Sequence, residues 1–286
     1  MWAIVLSLIP LICWGTADYI ASKYSKSLHP ATINLFFVTG ALVVAIAVSV
    51  VMGLPDFSAL ELLKYFGVSI VLTAGFMSMV KAFSVGATGI VASLSNSYVV
   101  LTTIIAILFL GKTMTISGAI AVLVIVFGIA LLTYKKDPNH NKKDFRVSII
   151  FASMALVFFG VGFALFDVVA SQKWYQNSLL FQMSGIVVAM LVYIILVKKN
   201  HKAEISLATK RPLMYAGALV GGIGTAGLFG ALALADNVAI PASVAAAAPL
   251  MTAFLAYKYD REHLTSLQRI AAVVIVMGII LLSIYS

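Results

Sequence analysis

Ten apolar runs divide this chain of 286 residues, each of roughly the 20 residues that cross about 30 Å of hydrocarbon. They lie near 2–24, 31–53, 65–85, 89–110, 115–134, 147–170, 175–198, 213–235, 239–259 and 266–285. Runs of this kind fold as helices, because an open strand edge in lipid leaves backbone N–H and C=O groups without partners. Charged residues make up 10% of the chain and mean hydropathy is +1.09, whereas soluble domains carry about 25% charged residues. The expected fold class is therefore an all-α polytopic membrane protein with ten transmembrane helices, multi-pass in the lipid bilayer of the cell membrane. The longest connections, 135–146 and 199–212, are too short to fold as domains, so no catalytic or nucleic-acid-binding module is expected.

The first run has no basic flank and no small-residue cleavage site, and it reads as a helix of the protein and not as a signal peptide. The single cysteine, Cys13, lies within it, which rules out an intrachain disulfide. The net charge of +9 comes from residues between the spans. Of the 19 Lys and Arg residues, only Lys64, Lys112 and Lys173 fall in even-numbered connections and Lys81 lies within a span; the others fall in odd-numbered ones. By the positive-inside rule the odd connections are cytoplasmic and both termini outside.

Two stretches, 82–134 and 232–284, overlay at a constant offset of 150, through Ser93/Ser243, Thr115/Thr265 and Gly128/Gly278. Tyr65/Tyr215 and Gly67/Gly217 keep the same offset, and Gly15/Gly160 align at 145. The unit is five helices, so residues 1–134 and 147–286 read as two repeats joined by a basic linker, 135–146. Five is odd, and the second copy must enter the membrane from the opposite side. Inverted repeats are the usual build of secondary transporters, with the substrate near the midplane between them.

Trp14-Gly15 in the first span, the five-plus-five arrangement, the short third connection and the pattern of spans four and five resemble the EamA-type transporters of the drug/metabolite transporter superfamily. The resemblance covers the whole chain and rests on loose motifs. It implies a permease for small organic metabolites such as amino acids or drug-like compounds, working by alternating access and in the direction of efflux. The family's Pro in spans four and nine and the Glu that follows stand here as Pro249 and Glu262, but the first half has Val99 and Lys112 in their places. The family's orientation has cytoplasmic termini, opposite to the charge count.

Charged side chains inside spans cost roughly 2.5–3.5 kcal/mol on insertion scales and mark function by default. Asp18, Asn34, Lys81 and Asn96 fall toward one membrane face; Asp167, Gln182, Asp236 and Ser243 fall toward the other. The expected picture is two polar vestibules around an aromatic middle. Asp18 is one helical turn beyond Trp14, so the two share a stripe. Asp18 is expected to pair with Lys81, to offer both signs to a zwitterion with it, or to take up a proton as coupling ion. Snorkelling of both side chains to the headgroups is the plain alternative. Ser93, Asn96 and Ser97 share one helix face and, with Tyr98, read as cavity lining. The candidate substrate-binding set is Trp14, Asp18, Lys81, Ser93, Asn96, Tyr98, Phe159, Asp167 and Gln182.

Gly222-Ile-Gly-Thr-Ala-Gly227 is a literal G-x-G-x-x-G, but it lies inside an apolar span without a preceding strand and reads as helix packing. His29, His140, His201 and His263 lack ligand spacing, and no nucleotide-hydrolysis motif is present. No cofactor, no metal site and no enzymatic activity are therefore expected, and the partners are a small-molecule substrate and the bilayer, with the protein a monomer or homodimer. A flippase for lipid-linked substrates is the alternative within transport. A membrane-embedded enzyme is the alternative outside it, disfavoured because Asp18 and Asp167 lie toward opposite faces.

Overall fold

The computed structural model describes residues 2–54, 56, 58–86, 88–133, 142–170, 173–198, 207–235, 239–259 and 265–285, and among these every regular element is a helix. The helices are α1 (Trp2–Tyr24), α2 (Pro30–Met52), α3 (Ala59–Val85), α4 (Thr88–Asn96), α5 (Tyr98–Phe109), α6 (Ile116–Thr133), α7 (Lys142–Val169), α8 (Trp174–Tyr193), α9 (Leu207–Gly217), α10 (Thr225–Leu232), α11 (Ala239–Ala245), α12 (Pro249–Tyr259) and α13 (Ser266–Tyr285). A π-helical segment, Ile194–Lys198, extends α8, and another, Ala218–Gly224, joins α9 to α10. Asp236 and Glu262 lie outside the described residues, as do 135–141 of the expected linker. The rest of that linker, from Lys142, is already the first turn of α7.

Among the described residues seven helical stretches are long and apolar enough to cross a membrane: Trp2–Tyr24, Pro30–Met52, Ala59–Val85, Asp144–Val169, Trp174–Val197, Lys210–Leu232 and Ile240–Tyr259. Shorter apolar helices cover Leu94–Phe109, Ile116–Leu131 and Arg269–Leu281. Along α1 the exposed side chains Trp2, Val5, Leu8 and Ile12 recur at helical spacing, while Ile4, Leu11 and Ala17 are buried. An exposed apolar stripe of this kind is a surface for acyl chains, not for water.

Local chemistry sets the helix ends. His29 Nδ1 accepts from the Ala31 N–H at 3.2 Å and Pro30 opens α2, where its missing N–H costs nothing. Ser58 and Glu61 form a reciprocal capping box at the start of α3. After α5, Gly111 takes a left-handed φ of 64°, and the Lys112 N–H returns to the Ala106 carbonyl at 3.0 Å. The left-handed glycine turns the chain back over the last helical carbonyls and ends the helix.

The fourth and ninth apolar runs are each divided. Ser97 separates α4 from α5, and residues 246–248 separate α11 from α12. In the second case Pro249 lacks the N–H that Ala245 would receive. The chain tightens there, with Ala247 N–H bonding Val244 O and Ala248 N–H bonding Ala245 O. The first break has no proline and is one residue long.

Packing between the N- and C-terminal halves is reciprocal. α3 lies on α7, and the stretch from the second π-helical segment through α10 lies on α1. α4 and α5 touch α7; α11 and α12 touch α1. α2 packs on α8, and α6 packs on α13. In the α6–α13 contact, Gly128 sits against Ile275 and Gly278 against Ile125, so closely that a Cβ at either glycine would overlap the opposing side chain.

Candidate functional site

A cavity of about 170 Å³ lies between the two halves. It is slightly larger than the engineered void of about 150 Å³ that holds benzene. Its wall takes Trp14, Ala17 and Asp18 from α1, Asn34 and Phe37 from α2, Ser69, Thr73, Phe76 and Met79 from α3, and Asn96 and Tyr98 from the two sides of the α4–α5 break. From the other half come Phe159, Phe163 and Phe166 of α7, Phe181 and Gln182 of α8, Val220 and Gly221 of the second π-helical segment, and Thr225 of α10.

Aromatic rings line a large part of the wall. Tyr98 stacks on Phe163 at 4.7 Å between centroids, and Trp14 meets the same ring at 5.4 Å. Phe166 stands edge-on to Phe181 and to Phe229. Offset and edge-on contacts of this kind hold rings in fixed positions.

Polar groups interrupt the aromatic surface at a few points. The Asn96 side chain hydrogen-bonds the Asp18 carboxylate, and its Nδ2 also donates to the Ala92 carbonyl at 2.9 Å. Asp18 is 8% exposed, Asn34 4% and Tyr98 2%. The Asn34 Nδ2 and the Tyr98 hydroxyl have no hydrogen-bond partner among the described residues. Such buried atoms are uncommon and call for an explanation.

Two carbonyls of the π-helical segment accept hydrogen bonds from side chains. Trp14 Nε1 donates to Val220 O at 3.2 Å, and Gln182 Nε2 donates to Gly221 O at 2.9 Å. Segments of this type recur at functional sites. The glycines at 221, 222 and 224 let Ala41, Val44 and Trp14 approach the segment closely, which agrees with the packing reading of G-x-G-x-x-G.

Two hydrogen bonds tie the divided helices across the halves. Thr102 Oγ1 donates to Gly160 O at 3.1 Å, and Thr252 Oγ1 donates to Gly15 O at 2.8 Å. The threonines are 150 apart, and Gly15 and Gly160 are the pair already aligned at 145. Tyr65 of α3 donates to Asn177 Oδ1 at 2.6 Å and reaches Val169 O at 3.2 Å. Lys112 and Asp167 form an ion pair at 3.1 Å, with side chains 31% and 19% exposed.

Of the residues singled out in the sequence, Trp14, Asp18, Asn96, Tyr98, Phe159 and Gln182 come together in this one wall. Residues of both expected vestibules therefore meet in a single cavity. Lys81 and Asp167 do not line it. Lys81 is exposed and borders a separate groove with Phe66, Ile70, Ala74 and Met77, and no ion pair joins it to Asp18 among the described residues. The helical pitch explains this: Ser69, Leu72, Phe76 and Met79 occupy the cavity side of α3, and Lys81 falls on the adjacent side. Asp167 is held by Lys112 instead. Ser93 is in α4, but its side chain lies outside the described residues.

The sequence reading did not single out Phe37, Phe76 or Phe163. A signal for the last was present, since Phe163 stands at the position equivalent to Asp18, as Phe159 does to Trp14. Among the described residues no group of three or more His, Cys, Asp or Glu could hold a metal ion.

A bundle of helices long and apolar enough to cross a membrane, packed around an aromatic and polar cavity, points to an integral membrane protein. Residues 1–134 match the model of the EamA-like transporter family. No curated protein matches the sequence. A solved chain described as "Crystal structure of protein" superposes with a TM-score of 0.81 at 13% identity, covering 99% of either chain. The fold is thus shared along essentially the whole length.

Proposed function

We propose that the protein is a permease of the plasma membrane that moves a small organic metabolite by alternating access, in the direction of efflux that the family implies. Its ten transmembrane helices form two inverted repeats, 1–134 and 147–286, joined by the linker 135–146, and the substrate occupies the cavity between them. The observation that carries this reading is the reciprocity of the bonds from Thr102 to Gly160 O and from Thr252 to Gly15 O. Each ties a divided helix of one half to the first helix of the other. With an odd number of helices per unit, exchanging the halves also exchanges the two membrane faces, so the same packing rules support a cavity open to either side.

A second reading, a flippase for a lipid-linked substrate, is favoured by Thr73, which borders both the central cavity and the lateral groove beside Lys81. Proteoliposomes filled with a mixed pool of small metabolites, and carrying a short-chain fluorescent lipid, separate the two. The permease reading predicts protein-dependent, saturable loss of at least one soluble metabolite, lost with Asp18→Asn. Translocation of the lipid probe with full retention of every soluble metabolite would overturn it.

A further inference from the structure

The charge inventory of the cavity is one-sided. Among the described residues Asp18 is the only charged side chain in its wall, Lys81 faces another groove, and Lys112 is engaged with Asp167. From this we propose that the cavity selects small organic cations: molecules with an ammonium group, an apolar body and one oxygen that accepts a hydrogen bond. The inference rests on the cavity being the permease's substrate site, and it excludes zwitterionic amino acids as preferred cargo.

A carboxylate withdrawn from water is costly unless an opposite charge meets it. Asn96 offers Asp18 a hydrogen bond but no charge, so a ligand ammonium is the group that completes the site. The Trp14 ring in the same wall is electron-rich and attracts the same cation. The Asn34 Nδ2, buried without a partner among the described residues, needs an acceptor, which a ligand carbonyl or ether oxygen supplies. A ligand carboxylate would fare worse. It would lose its hydration next to Asp18 in a wall whose described residues include no cation.

Equilibrium binding to the purified full-length protein in detergent tests this with three ligands that share one side chain: leucinamide as cation, leucine as zwitterion and 4-methylpentanamide as neutral amide. Leucinamide is expected to bind at least about tenfold more tightly than the other two. Asp18→Asn is expected to remove that advantage and leave 4-methylpentanamide unchanged. Asn34→Ala, a second variant in case the first does not fold, is expected to weaken both amides by the same factor. Leucine binding as tightly as leucinamide would overturn the assignment, as would no leucinamide binding at millimolar concentration by protein that still unfolds cooperatively. Failure here is separable from failure of the permease reading: selective binding of leucinamide without flux in proteoliposomes sinks the permease and leaves the cation site standing, and flux of a zwitterion does the reverse.

Discussion

Replacing Thr252 by valine keeps the shape of the side chain and removes one hydroxyl, the donor to Gly15 O at 2.8 Å. A net intramolecular hydrogen bond contributes about 0.5–1.5 kcal/mol, and bonds between membrane helices average about 0.6 and reach about 1.7 kcal/mol. Thr252 is buried, and its contact with Ala248 O at 3.4 Å is too long to compensate. The expected destabilisation is therefore about 1 kcal/mol, roughly a fivefold shift toward the unfolded state. Thr102→Val removes the equivalent bond to Gly160 O at 3.1 Å and is expected to cost a similar amount. Thr103→Val is the control: its hydroxyl bonds only Val99 O in its own helix, and such back-bonding stabilises a helix little. The protein carries its own probe in Cys13, the single cysteine, buried in α1. Thiol labelling across an SDS titration reports unfolding without any added label site. A Thr252→Val curve that coincides with that of Thr103→Val would refute the reasoning, because the cross-half bond would then contribute nothing. A loss above about 3 kcal/mol would also refute it, as that is the size of a packing defect and not of one hydroxyl.

Other outcomes follow from the same contacts. Gly128→Ala and Gly278→Ala are each expected to cost about 1–3 kcal/mol through overpacking against Ile275 and Ile125, and similar melting temperatures for the two in detergent would support their equivalence. Tyr65→Phe removes the 2.6 Å bond to buried Asn177 and is expected to destabilise by about 1–3 kcal/mol, read by the same thiol titration. Asp167→Asn breaks a partly exposed ion pair with Lys112 and is expected to change stability by less than about 1 kcal/mol, with the difference shrinking as salt is raised.

The membrane class and the helical runs were legible because bilayer thickness imposes a length on every apolar segment. Gly128 and Gly278, which coincide at the offset of 150, both sit in the α6–α13 contact. The division of the ninth run has a sequence signal in Pro249, but the division at Ser97 has none, because tertiary contacts of α4 and α5 with α7 and not a breaker residue set it. The same limit applied to the site. Asp18 and Lys81 are the in-span charges of the first half, and sequence alone cannot say that they face different grooves; the pitch of α3 decides that. Phe37 and Phe76 look like any lipid-facing aromatic until the packing of α2 and α3 turns them inward to face each other at 5.2 Å. The bonds from Trp14 and Gln182 to the carbonyls of Val220 and Gly221 lie in the π-helical segment, for which the glycines at 221, 222 and 224 were the sole hint.

The most direct test of alternating access uses Ser69, buried in the cavity wall with its hydroxyl near Phe181 O. Ser69→Cys in a Cys13→Ala background is reconstituted into sealed vesicles and exposed to a membrane-impermeant maleimide from one side at a time. Labelling from either side is the predicted result. Labelling from one side alone, in both orientations of the same folded protein, would contradict the claim that the two halves move about a shared central cavity.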